Sequence, residues 1–185
     1  MVLPWQKRAE GDKGDIMRKI GRYAMPMLAA AATAVLLYAS QPVRAGETTE
    51  AVEVPEHVIE LSEQLGQEYG ICPELLQAIC WRESRFQAEA RNGGCIGIMQ
   101  VSKRWHVDRM DKLGVSNLTD PAQNMEVAAD YLRELFQKYH DAGIVLMVYN
   151  GDSRVWEVLE GREELSGYAR EILELSERLE RQHGK

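Results

Sequence analysis

A carboxyl group can serve as a proton donor at neutral pH only if its surroundings keep it uncharged, and one residue of this chain meets that condition on spacing alone. Leu76, Ile79/Cys80, Glu83 and Phe86 recur at helical intervals, and every member of the stripe except Glu83 is apolar. A carboxylate among apolar groups resists ionisation, so its pKa rises. Such an acid can protonate the leaving oxygen of a glycosidic bond. The alternative is a buried Glu paired with Arg82 or Arg85 for structural reasons, but on a regular helix both arginines fall on other faces. Two further acids could join the chemistry. Glu89 is the only other acid in 84–101 and is expected to be solvated; Asp152 follows an apolar run.

The elements that position Glu83 read as helices. Val58, Leu61, Leu65 and Tyr69 form one stripe over about 56–69, with Gly70 as the stop. Cys72-Pro73 opens the helix of Glu83, with Pro at its first position. Asn92-Gly93-Gly94 is a turn, and Cys95 to Val101 reads as a small hairpin or irregular extended piece. Ser102 is placed to cap a helix ending before Gly114, and Asp120-Pro121 opens a longer one with the stripe Met125, Ala128/Ala129, Leu132, Leu135/Phe136 and Tyr139. Ile144–Tyr149 is almost wholly apolar and is read as a buried helix rather than a strand, because its neighbours are helical. The last helix, about 165–182, carries Tyr168, Ile172, Leu175 and Leu179 inward and the pairs Arg170/Glu174, Glu174/Arg178 and Glu177/Arg181 outward. The fold class is mainly α: one domain with a small β excursion beside the helix of Glu83.

Charge and composition narrow the function. The 185 residues contain 22 Lys+Arg and 29 Asp+Glu, a net of −7. Seven of the basic residues and three of the acids precede Gly46, so the remainder carries a net of −11. That acidity argues against a nucleic-acid surface, which needs clustered cations. Residues 24–39, AMPMLAAAATAVLLYA, follow the basic stretch MRKIGRY and are short for a membrane span. Residues 1–45 are therefore a signal peptide, with small residues at Val43 and Ala45 for cleavage, or else a retained membrane anchor; Met17 is an alternative start. Residues 46–55 are Glu/Thr-rich and read as a linker, leaving 56–185 as the domain, outside the cytoplasmic membrane. His57, His106, His140 and His183 show no metal-ligand spacing, so neither metal nor cofactor is expected. His106 with Asp108 and Arg109 forms a candidate polar cluster. Trp81, Trp105 and Trp156 are read as packing residues.

The motifs around Glu83 then occur in a familiar order. Glu83-Ser84-Arg85-Phe86 is followed by Gly97-Ile98-Met99-Gln100, Asp120-Pro121-xx-Asn124, Val148-Tyr149-Asn150 and Gly167-Tyr168-Ala169. This order resembles the soluble lytic transglycosylase (SLT) domain, a relative of goose-type lysozyme, over about residues 56–175. The resemblance implies a lysozyme-like fold acting on peptidoglycan glycan strands. Glu83 falls on the catalytic acid/base. Ser84, Met99, Gln100, Tyr149 and Asn150 fall on positions that place or line the glycan, and Tyr168 falls on a tyrosine that reaches the catalytic carboxyl. The implied reaction breaks the β-1,4 bond between N-acetylmuramic acid and N-acetylglucosamine and closes a 1,6-anhydro ring. A hydrolytic muramidase and an inactive wall-binding assembly protein of the same fold are the alternatives. Ala128 stands where the family often has Gly, Val148 where Ala is usual, and Asn150-Gly151-Asp152 where Asn-Ala-Gly is common. A monomer is expected, opening the wall locally, for instance for a secretion or conjugation apparatus.

Three cysteines fit an oxidising exterior. A Cys72–Cys95 disulfide would tie the start of the Glu83 helix to the Gly-Ile-Met-Gln segment, with Cys80–Cys95 as its competitor. Cys72 and Cys80 are about 10–12 Å apart along one helix, too far for a bridge.

Overall fold

A computed structural model describes residues 52–185. The expected leader, its cleavage site and most of the expected linker lie outside the described residues. The first stripe forms α1, Glu56–Tyr69, which ends at Gly70 in the left-handed conformation (φ 68°). The turn into the next helix is tight: a Cβ on Gly66 would come within 2.7 Å of the Ile71 carbonyl oxygen. Helix α2 then runs Pro73–Ser84 with Pro at its first turn. Buried Ser62 of α1 accepts from Gln77 Nε2 of α2 at 3.0 Å and donates to the Val58 carbonyl at 2.6 Å, so the two helices share a polar contact inside the core.

Helix α2 ends one residue after Glu83, earlier than the stripe predicts. Arg85 and Phe86 both have positive φ, 54° and 63°. Their amides bond back to the Trp81 and Cys80 carbonyls, which closes the helix. Phe86 thus leaves the helical stripe, yet its ring still packs 5.4 Å from that of Trp81. A left-handed non-glycine residue costs about 1–2 kcal/mol. Two in succession reverse the chain immediately beyond the candidate acid.

The reversed chain forms a three-stranded antiparallel sheet of two-residue strands, β1 (Arg91–Asn92), β2 (Cys95–Ile96) and β3 (Val101–Ser102). Asn92 pairs with Cys95 across a two-residue Gly93-Gly94 loop with both φ positive, the geometry that matches strand twist. Cys95 pairs with Ser102, so Ser102 belongs to the sheet. It precedes α3 (Lys103–Leu113) without making the expected side-chain cap. Helix α4, Pro121–Tyr139, is capped by the Asp120 carboxylate, which accepts from Gln123 N at 3.0 Å. Helix α5, Ala142–Tyr149, is the apolar run, buried from Gly143 through Val148 and capped by Asp141. A short α6, Val155–Leu159, has no counterpart in the sequence reading. Helix α7, Gly167–Gln182, is capped by Ser166 and buries Ile172, Leu175 and Leu179.

Helix α2 lies between α1 and α7, and α5 packs on α4, α6 and α7. Each fully buried aliphatic side chain of this core contributes about 1.5–3 kcal/mol. Among the described outward pairs of α7, Glu177–Arg181 closes at 3.8 Å, whereas Arg170 reaches back to Glu164 at 3.4 Å.

The cysteines are free, which overturns the expected Cys72–Cys95 bridge. Cys72 stands at the N-terminal end of α2 and donates to Glu74 Oε2 at 3.3 Å and Glu180 Oε1 at 3.4 Å. Cys95 lies in the sheet entered from the other end of a helix of 12 residues. At about 1.5 Å per residue, that helix separates the two by far more than a disulfide spans. The competing Cys80–Cys95 bridge is not formed either; both thiols are buried and free.

Candidate active site

Glu83 projects from the last turn of α2, and Tyr168 from the first turn of α7. Their side chains meet: Tyr168 Oη donates to Glu83 Oε1 at 2.5 Å. Glu83 remains partly open to solvent, but enough protein surrounds its carboxyl that burial raises its pKa. The Tyr168 hydrogen bond and the Arg82 charge oppose that rise without cancelling it. The result is an acid biased toward its protonated form with one oxygen held in place. Tyr149 and Cys95 lie near enough to feel the Glu83 charge, which adds to burial in raising both; the Cys95 thiol is pushed up to about 11.

The reversed segment and α5 build the surroundings of the acid. Ser84 Oγ donates to the Ile98 carbonyl at 2.7 Å, so the hydroxyl next to Glu83 anchors the loop. Tyr149 Oη donates to the Met99 carbonyl at 2.8 Å. Met99, expected along the glycan, keeps its side chain wholly in the core and presents only backbone to Tyr149. Gln100 has φ 51°, and its Nε2 donates to the Gly97 and Ala90 carbonyls at 2.8 and 3.1 Å. Asn150 follows Tyr149 as the half-buried cap residue of α5.

Gln100 and Tyr149 share a cavity with Cys95, Trp105, His106 and Tyr131. The His106 ring packs 4.8 Å from Tyr131, which in turn lies 5.9 Å from Tyr149. Burial and then the Arg109 charge push the His106 pKa down to about 4, so the imidazole is neutral. The expected cluster of His106 with Asp108 and Arg109 is different in detail. Arg109 is engaged by Asp130 and Glu134, and its guanidinium stands 5.3 Å from the Tyr131 ring centroid.

One organising residue of the site belongs to the Asp120-Pro121-xx-Asn124 motif, which by itself marks no site residue. Asn124 is completely buried on α4. Its Oδ1 accepts from Met99 N at 2.9 Å, and its Nδ2 donates to the Ile96 and Leu118 carbonyls, each at 2.8 Å. Gly97 fits against it: a Cβ there would fall 2.3 Å from Asn124 Nδ2 and 2.2 Å from the Leu118 carbonyl oxygen, at φ 85°. The signal that could have found Asn124 is the one that found Glu83, a polar side chain on an apolar helical face.

The candidate second acids are occupied or exposed. Asp152 accepts from Arg154 N, Nε and Nη2 at 2.9, 3.1 and 2.8 Å, and although burial raises its pKa the Arg154 bonds lower it overall. Glu89 is exposed. Among the described residues no group of three or more His, Cys, Asp or Glu side chains is arranged to hold a metal ion.

Comparison with known proteins bears on this geometry. The Transglycosylase SLT domain model matches residues 60–170, which include every site residue from Glu83 to Tyr168. X polypeptide of Escherichia coli (strain K12) is 31% identical over 106 residues, covering 53% of this chain and 62% of that protein. A protein of Enterobacteria phage PRD1 described as Transglycosylase is 32% identical over 85 residues, covering 45% of this chain and 31% of the phage protein. The chain thus spans less than two thirds of the length of these curated relatives. An inactive mutant of the lytic transglycosylase Slt from Pseudomonas aeruginosa superposes with a TM-score of 0.61 at 20% identity, over 71% of this chain and 25% of that one, and so shares the fold. With more than half of its length matched, the chain belongs to the Transglycosylase SLT domain family.

Proposed function

We propose that this protein is a peptidoglycan lytic transglycosylase with Glu83 as its single acid/base. The observation that carries the reading is the Glu83–Tyr168 pair: a carboxyl whose pKa burial raises, with one oxygen fixed at 2.5 Å by a phenol. Glu83 donates its proton to the oxygen between N-acetylmuramic acid and N-acetylglucosamine, and the C1–O bond breaks. The resulting carboxylate, stabilised by the Tyr168 hydroxyl, takes the proton of the muramic C6 hydroxyl as that oxygen bonds to C1. The proton count balances and the product carries a 1,6-anhydro end. The nucleophile is already part of the substrate, so one carboxyl suffices. Hydrolysis by two carboxylates at a fixed separation requires a second acid free to act. The engagement of Asp152 by Arg154 and the exposure of Glu89 favour the anhydro route over a muramidase.

Such a substrate lies outside the cytoplasmic membrane, in keeping with the basic and then apolar character of residues 1–45. A small domain of this kind suits local opening of the wall for a secretion or conjugation apparatus. The test is mass spectrometry of fragments released from purified peptidoglycan by the full chain. Anhydro-muramic ends are expected, and Glu83→Gln should reduce their release by about 10²–10⁴-fold with the fold intact. Reducing ends alone would assign a muramidase, and undiminished release by Glu83→Gln would remove the acid from its role.

A further inference from the structure

Arg82 precedes the proposed acid and carries the cation nearest to it in sequence, yet its guanidinium does not pair with Glu83. Its Nε donates to Glu171 Oε2 at 3.0 Å, and its guanidinium carbon stands 5.3 Å from the Tyr168 ring centroid. Tyr168 and Glu171 are three residues apart on α7, hence neighbours on one face. The phenol that touches Glu83 and the carboxylate that holds Arg82 therefore share a surface, and α2 packs more extensively on α7 than on any other element. Both partners are largely solvated, with side chains 44% and 62% exposed. An exposed ion pair of this kind contributes little to stability. Its consequence is geometric.

We propose that Arg82 and Glu171 are a positioning pair for the acid: Glu171 holds the Arg82 guanidinium over the outer face of Tyr168, keeping the phenol on Glu83 and the guanidinium off its carboxyl. The inference rests on Glu83 being the acid but not on the product formed. The groups near Glu83 are Arg82 and Cys80 from α2, Tyr168 from α7, Tyr149 from α5 and Cys95 from β2. Arg82 is the cation among them. Released from Glu171, it can turn toward Glu83, and a cation beside a carboxyl favours the ionised form. Removed altogether, it leaves Glu83 more strongly protonated.

The two single substitutions are therefore expected to act in opposite directions, which loss of packing alone would not produce. The experiment is a carbon-13 carboxyl NMR titration of the full chain, with the Glu83 resonance assigned by its loss in Glu83→Gln. Glu171→Gln is expected to lower the Glu83 midpoint by about one pH unit and Arg82→Gln to raise it by a similar amount, with the double variant following Arg82→Gln. The falling limb of the kcat/KM profile with pH should move in step. Midpoints that move the same way in both single variants, or stay still in Glu171→Gln, overturn the proposal. The titration reads Glu83 whether or not peptidoglycan is cleaved. An inert wild-type protein with the expected midpoints would thus fail the functional reading and leave the positioning pair standing.

Discussion

Tyr168 Oη and Glu83 Oε1 meet at 2.5 Å although 85 residues separate them in the chain. Burial also pushes the Tyr168 hydroxyl well above its ordinary pKa, with the Glu83 charge adding to the rise, so the phenol is a donor throughout the physiological range. This contact joins the last turn of one helix to the first turn of another and orients the carboxyl before any substrate binds.

Removing that donor separates protonation from orientation. The Tyr168 bond lowers the Glu83 pKa, so Tyr168→Phe should move the Glu83 titration to higher pH. More of the acid is then protonated at neutrality, yet turnover should fall about 10- to 100-fold, the cost of one hydrogen bond to a charged group. A carboxyl titration together with a fragment-release assay checks both signs. A rise in activity would show that protonation, not placement, limits the reaction.

Asn124 should matter for stability as much as for the site. Asn124→Ala leaves the amide of Met99 and the carbonyls of Ile96 and Leu118 without their buried partner. A loss of about 3–4 kcal/mol is expected in urea unfolding. Gly97→Ala should destabilise by more than about 2 kcal/mol, because the methyl would enter the space Asn124 fills, at a left-handed φ.

The far end of the α2–α7 pair predicts an acid-labile contact. Glu74, 1% exposed, lies 2.9 Å from His183 Nδ1 and accepts from Lys185 Nζ at 2.8 Å. Burial raises the Glu74 pKa, but these hydrogen bonds outweigh it and bring it down from 4.5 to about 2. A depressed carboxyl pKa stabilises the fold above the unfolded value and loses that contribution as protons bind. Stability should therefore fall between pH 4.5 and about 2. Thermal melts across that range should show a shallower fall for Glu74→Gln than for wild type; parallel curves would exclude Glu74 as a source of the acid sensitivity.

The thiols should divide by burial. Cys72 is exposed while Cys80 and Cys95 are buried. Burial raises the pKa of all three, so native alkylation should be slow, confined to Cys72, and extend to Cys80 and Cys95 after unfolding. Peptide mapping checks the sites, and an intact mass unchanged by reduction checks the absence of a bridge.

Local periodicity was sufficient for α1, α2, α4 and α7 and for Glu83 as the polar intruder on an apolar face, residue type for the glycine turn of the hairpin, and the helical neighbours for the apolar run of α5. These depend on side-chain type at intervals of a few residues, which the chain carries wherever it folds. The motif order placed Tyr168 and Asn124 in the relevant segments. Only the tertiary structure decided that Ser84 and Met99 serve the loop and the core, that Arg82 turns to Glu171, that Asp152 is taken by Arg154 and that Cys72 stays apart from Cys95. The five residues of α6 were too short to register a period. The early end of α2 depended on two left-handed residues with no glycine to announce them. Spacing along one helix says which face a side chain occupies, but its partner is chosen by how the next helix docks, and docking is a property of the packed core rather than of any segment within it.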